Sequence, residues 1–165
     1  MGTQQILLIV LSVIIVGAAI AVGIDMFNRQ DYSSNRSAAA ADVQLFLTQV
    51  LQYYKMPLAL GGLGNDIENA EDNDAIAGYI GWGYDNPMTN DNATYYAVLP
   101  ESTTGDDQIV DIKAICRSTL NDKSPVVHGR ITFPEGKITS RVGEIDSITG
   151  TITEADFDFD LWESE

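Results

Sequence analysis

The sequence predicts an α+β fold, in which a long N-terminal helix, hydrophobic and then amphipathic, packs against a C-terminal antiparallel β-sheet. Three observations predict it. The first 24 residues carry no charged side chain. The next 31, from Asp25 to Lys55, contain neither proline nor glycine. Beyond residue 90, short alternating segments recur about every ten residues, separated by Pro, Gly and Asp turns. Three regions follow: residues 1–24, an apolar helix that sits in a membrane or inside an assembly; 25–56, its amphipathic continuation; and 57–165, an acidic, loop-rich globular domain holding the sheet.

Residues 6–24 read ILLIVLSVIIVGAAIAVGI, broken only by Ser12, Gly17 and Gly23. As a helix they span about 28 Å, close to the roughly 30 Å hydrocarbon core of a bilayer. After them, Ala39, Val43, Phe46, Val50 and Tyr53 recur every three or four residues, and Leu47, Leu51 and Tyr54 widen the stripe. That spacing marks a helix with one core-facing side. Met56-Pro57 ends it, because proline disfavours the α conformation of the preceding residue. The rod from Thr3 to Lys55 is about 80 Å long by the helical rise. Asp31-Tyr32-Ser33-Ser34-Asn35 is its weak spot, and Gly17 and Gly23 are backbone weak points where local melting or close helix packing is expected.

Leu58 to Asn92 is rich in Gly, Asn and Asp, and reads as an irregular connection with one short strand or helix around Ala75 to Trp82. Strands are expected at 95–99, 108–117, 126–133, 136–142 and 145–153. Asp156 to Leu161 alternates acid and apolar residues, as a strand with three carboxylates facing solvent would. The sheet is expected to cover the stripe from Ala39 to Tyr54.

Charge is partitioned as sharply as hydropathy. Asp25, Asp31 and Asp42 balance Arg29, Arg36 and Lys55, so the whole formal charge of −15 lies beyond residue 60. Such acidity argues against nucleic acid as a partner and implies a soluble, self-repelling surface.

Three readings of the apolar segment remain. A cleaved secretory signal fits poorly, since no Lys or Arg precedes the run, although Ala19-Ile20-Ala21 has the form of a cleavage site. A permanent single-span anchor carrying a surface binding module is the second. The third is a subunit whose apolar helix ends up inside an assembly of its own kind.

Met1-Gly2-Thr3-Gln4-Gln5, the apolar run and the amphipathic continuation together resemble the type IV pilin superfamily, which includes the pseudopilins of type II secretion. The resemblance covers the first third of the chain in sequence and the rest in architecture only, and is to a bacterial major pilin more than to an archaeal one. It implies an extracellular, cell-surface filament, a homopolymer without enzymatic activity. It also implies a precursor in the inner membrane, a prepilin peptidase and a pilus assembly machinery, with Met1 either the processed, methylated end or an initiator methionine. The assembly residues it points to are Met1, Gln5, Ile14, Val16, Gly17 and Gly23. Gln5 stands where these proteins usually carry glutamate, and the helix-breaking proline of many bacterial pilins is absent. A pseudopilin of a type II-like secretion system is the nearest alternative.

No constellation for catalysis is legible. Cys116 and His128 are each the only residue of their kind; Cys116 is expected as a buried strand residue and His128 on a strand surface. No cofactor is expected, and no metal-ligand set is assigned. Calcium is the one cofactor hinted at, by oxygen-bearing loops at Asn65-Asp66, Asp72-Asn73-Asp74, Asp85-Asn86 and Asn90-Asp91-Asn92, none with EF-hand spacing. Asn35 and Asn92 open Asn-X-Ser/Thr triplets and are candidate glycosylation sites, while Ser33, Ser34, Thr103 and Thr104 are candidates for O-linked sugars. The tyrosines and tryptophans are expected to serve packing and turns.

Overall fold

A computed structural model describes residues 2–70, 72–83, 86–99 and 108–162. Helix α1 runs unbroken from Thr3 to Lys55, as the expected single rod, through the backbone weak points Gly17 and Gly23 and the weak spot at 31–35. Met56 is extended (ψ 132°) ahead of Pro57. The chain then doubles back so that Leu63, Gly64 and Asn65 donate backbone N–H groups to the carbonyls of Tyr53, Met56 and Tyr54. The open end of the helix is satisfied by this loop. It can approach so closely because residue 62 is glycine: a Cβ there would collide with the backbone of Met56.

A short helix α2 (Asn73–Tyr79) resolves the strand-or-helix choice near residue 75. Asp72 caps it by accepting from Ala75 N–H at 2.9 Å. Five strands follow: β1 (Met88–Thr89), β2 (Ala93–Val98), β3 (Gln108–Cys116), β4 (Lys123–Phe133) and β5 (Lys137–Asp146). They form an antiparallel meander in the order β1-β2-β3-β4-β5. The register sets Ile112 opposite Gly129, Lys113 opposite His128 and His128 opposite Arg141.

One face of the sheet carries α1. Ala39, Val43, Leu47, Val50 and Tyr54 are buried against Tyr95, Val110, Ile112, Ala114, Val127, Ile131 and Phe133. Phe46 and Tyr53, on the flank of the stripe, are half-buried and make aromatic contacts instead: Phe46 edge-on to Trp82 and Tyr95, Tyr53 stacked on Tyr79 at 4.2 Å. Gly129 lies directly beneath the helix, where a Cβ would strike Val43 Cγ1 and come within 2.7 Å of Leu47 Cδ1.

Polar clips reinforce this contact. Asp42 Oδ2 accepts from Tyr95 Oη at 2.6 Å, Asn92 Nδ2 at 3.0 Å and Asn90 Nδ2 at 3.3 Å. Asn35 Nδ2 donates to the Asn92 carbonyl at 2.8 Å, and Asn35 Oδ1 accepts from Ser118 Oγ at 3.0 Å.

The opposite face of the sheet is covered as well. Residues 147–162 fold back over it as a strap. The expected strand at 145–153 is only the end of β5, after which the chain leaves the ladder. The acid–apolar alternation of Asp156 to Leu161 does not form a strand either. Thr153 and Asp156 make a reciprocal capping box that winds residues Glu154–Phe157 into a 3₁₀ turn. Phe157 then packs with Tyr96, Ile115 and Val126 in a second small core. Of the three carboxylates expected in solvent, Asp156 caps this turn and Asp160 turns inward to Arg130 at 3.2 Å. Only Asp158 remains exposed.

Candidate assembly surface

From Thr3 to Asp31 every residue except the partly exposed Gly23 is exposed. The 18-residue window most fit to cross a membrane lies here, and none of it is buried. Of the sequence-predicted assembly residues, Ile14 is 62% and Val16 57% exposed. At 100° per residue, Ile14 and Val16 point about 160° apart, so the apolar surface extends all round the helix. A helix hydrophobic on every side cannot be satisfied by one partner helix; it needs lipid or several neighbours at once.

Gly17 and Gly23 have open space where a Cβ would stand. They are six residues apart and point about 120° from one another, so they do not build one close-packing face. Gln5 is exposed within the first turn, its backbone N–H donating to the Gly2 carbonyl at 2.9 Å. Its side chain puts a neutral acceptor at the head of the rod, which costs less to bury than a carboxylate would. Met1 lies outside the described residues. The apolar stretch ends at Asp25, whose carboxylate pairs with Arg29 at 2.9 Å on the exposed surface. That contact adds little stability in water, but it marks where the rod becomes wettable.

The remaining candidates lie on the head. Both sequon asparagines belong to one hydrogen-bond cluster at the helix–sheet seam, where the Nδ2 of each already donates, Asn35 to the Asn92 carbonyl and Asn92 to Asp42. A sugar on either nitrogen would leave it a single N–H to donate. The loop oxygens that hinted at calcium also have protein donors. Asp66 accepts from Glu68 N–H and Gln108 Nε2, Asn73 Oδ1 from Leu99 N–H, and Asn90 Oδ1 from the N–H groups of Asn92 and Ala93. Among the described residues no three His, Cys, Asp or Glu side chains converge as a metal set. Asp85, Thr103 and Thr104 lie outside the described residues. Cys116 is buried on the helix side, and desolvation pushes its thiol up to about 12, which keeps it an unreactive hydrophobe at neutral pH.

One polar cluster escaped sequence reasoning. His128, expected on a strand surface, is fully buried. It sits between Asp111 and Asp160, which Arg130 bridges: the guanidinium holds Asp111 through a two-point fork at 2.8 and 2.7 Å and reaches Asp160 at 3.2 Å. Burial works against ionisation of Asp111, but the Arg130 fork and the neighbouring His128 outweigh it and hold the carboxyl below the usual carboxylate range. Asp160 is lowered in the same way: burial opposes, and the Trp162 N–H together with Arg130 and His128 prevail. The signal that could have located it is the alternation His128, Arg130 on one face of β4, facing Asp111 one strand away.

Comparison with protein-family models, with curated proteins and with solved structures returned no match. The functional reading therefore rests on the geometry and on the resemblance carried by the first third of the chain.

Proposed function

We propose that the chain is the structural subunit of an extracellular type IV pilus-like filament, assembled through its N-terminal helix. One observation carries the reading. A single 53-residue helix is welded to a folded head along its second half, while its first half is bare and apolar on every side. An anchor that merely tethers a domain has no need of a rigid continuation into that domain's core. A subunit that must fix the position of its head relative to a bundle of neighbouring helices does.

The energetics suit reversible passage between membrane and filament. Lipid tails and neighbouring apolar helices are equally apolar, so leaving the bilayer for a helix bundle changes hydrophobic burial little. Packing and contacts between heads then decide the balance. That balance makes an assembly machinery a natural partner, and it places the acidic heads outside, in water. The reaction is association alone, with Ile14, Val16 and their neighbours as contact residues and Gln5 as the polar group at the buried end.

The test is negative-stain electron microscopy of the sheared cell-surface fraction, with mass spectrometry of the N-terminus in the same sample. Thin filaments built of this chain are the expected result. Chain recovered only from membranes, released by detergent as a monomer, would overturn the filament and leave an anchored binding module. Short filaments seen only on overexpression, beside a dependence of protein export on the chain, would point to the pseudopilin alternative.

A further inference from the structure

The strap that closes the second face of the sheet ends over the chain's only histidine, and the contacts there compete. His128 Nδ1 accepts the backbone N–H of Leu161 at 3.4 Å, and the same nitrogen lies 3.5 Å from Asp160 Oδ1. One ring nitrogen cannot serve both. Leu161 needs a bare Nδ1 lone pair, whereas Asp160 needs an Nδ1–H. On the other side, Nε2 lies 3.1 Å from Asp111 Oδ2 but is not aligned for a hydrogen bond, so a fully buried polar atom is left imperfectly satisfied.

The charged groups facing the ring come from every element around it. They are Asp111 and Lys113 on β3, Arg130 on β4, Arg141 on β5 directly across the ladder, and Asp160 on the strap. Three of them also grip the strap. Lys113 donates to the Phe157 carbonyl at 3.1 Å, Arg141 to the Leu161 carbonyl at 3.1 Å, and Arg130 to Asp160. Trp162 closes the site, its ring 4.4 Å from the imidazole and edge-on to it, with the Arg130 and Arg141 guanidinium groups over it.

We propose that His128 is a proton-operated latch that decides which part of the strap is tied to the sheet. With the ring neutral, Nδ1 holds the Leu161 N–H. With the ring protonated, Nδ1 carries a proton, the Leu161 N–H is released, and Asp160 is drawn onto the imidazolium. Two cations, Arg130 and His128, then face the two carboxylates, where the neutral ring leaves Arg130 alone between them. Lys113 and Arg141 keep the strap on the sheet in both states, so its end re-registers without coming off. The latch is independent of the filament reading, since every residue in it lies on the head.

The test is NMR of the full chain in detergent micelles, with ¹⁵N-labelled histidine and leucine, over the whole pH range in which the head stays folded. A single histidine gives a single pair of ring nitrogens, so the ring's state is read without assignment. The expected result is a ring protonation step with a matching step in Leu161 amide exchange. Once the base-catalysed fall of intrinsic amide exchange with acid is divided out, the protection of that amide should drop roughly three- to tenfold on the acid side, the change that losing one ordinary hydrogen bond produces. Trp162 emission should change at the same midpoint. Asp160→Asn should preserve the fold, move ring protonation to lower pH because one carboxylate facing the imidazolium is gone, and leave the strap end without its acid-side anchor, so that the Leu161 step grows. His128→Gln should abolish all of these steps. Protonation of the ring with no response at Leu161 would overturn the latch, as would a ring that does not protonate while the head stays folded, or an Asp160→Asn chain that behaves as the parent does.

Discussion

Gly129 offers a quantitative test of how the helix is coupled to the head. A methyl at this position points into α1, striking Val43 Cγ1 and lying 2.7 Å from Leu47 Cδ1, both side chains fully buried. Overpacking of this kind costs about 1–3 kcal/mol, offset by about 0.5–1 kcal/mol because alanine suits a strand interior better than glycine. Gly129→Ala alone should therefore destabilise the head by about 1–2 kcal/mol. Val43→Ala alone removes two buried methyl groups and should cost about 2 kcal/mol. In the double variant the new methyl occupies the space Val43 vacates, so the two losses should fall short of their sum by about 1 kcal/mol or more. The assay is equilibrium denaturation of the full chain in detergent micelles, followed by circular dichroism for all four members of the cycle. Additivity within about 0.4 kcal/mol would mean that the helix does not rest on Gly129, and the docking described above would be refuted.

Three further outcomes are expected. Ile14→Asp or Val16→Asp, each placing a charge that costs about 2.5–3.5 kcal/mol at the middle of an apolar helix, should abolish surface filaments while leaving head stability unchanged; filaments of normal abundance would refute the assembly role. On acidification, Asp111 and Asp160 should release stability. Their carboxyls are held below the usual range in the fold, so their contribution is complete above about pH 4 and lost as pH falls through the lowered values. Asp111→Asn should therefore flatten the acid limb of the stability curve, and parallel curves for parent and variant would contradict the assignment. Raising NaCl from about 0.1 to 1 M, which shortens the screening length from about 10 to 3 Å, should stabilise the head. Exposed Glu68, Asp72, Asp74, Asp122, Glu135 and Asp146 repel one another there. A thermal midpoint indifferent to salt would show that this repulsion is negligible.

The helix and strands β2 to β4 were legible because their signals are local, whereas β1 was read as loop and β5 was split between strands at 136–142 and 145–153. A 3.6-residue stripe and a two-residue alternation need no knowledge of the partner element, and Pro57 marks the helix end by its own chemistry. What stayed hidden depends on residues far apart in sequence. Alternation in Asp156 to Leu161 reads as a strand only if a strand edge is free to take it; the Thr153–Asp156 capping box and the pull of Arg130 on Asp160 win instead. His128 reads as a strand-surface residue, and only the fold-back of the strap makes that face dry. The weak spot at residues 31–35 stays helical for a similar reason: Tyr32 reaches Glu144 at 2.7 Å and Asn35 reaches Ser118, so tertiary contacts hold a stretch of modest helix propensity. For Ile14 and Val16 the position is reversed: they were legible as apolar and are bare in the fold, with nothing among the described residues to cover them.

The partition of charge gives the bare helix its direction of use. All of the net charge lies beyond residue 60, while the exposed stretch from Thr3 to Ile24 has none. Bringing many copies together heads first would bring like charges together, whereas bringing them together through the rods meets no electrostatic opposition. The same chain therefore disfavours lateral association of folded heads in solution and permits association only where the rods meet, in lipid or in a bundle. A polymer built this way should have its head-to-head spacing set by the rod and not by attraction between heads. Neutralising the exposed carboxylates should accordingly promote disordered clumping of the subunit before it promotes longer filaments, and light scattering beside electron microscopy of an Asp72→Asn, Asp74→Asn, Asp122→Asn variant separates the two. Longer, ordered filaments without clumping would mean that the heads, and not the rods, limit assembly.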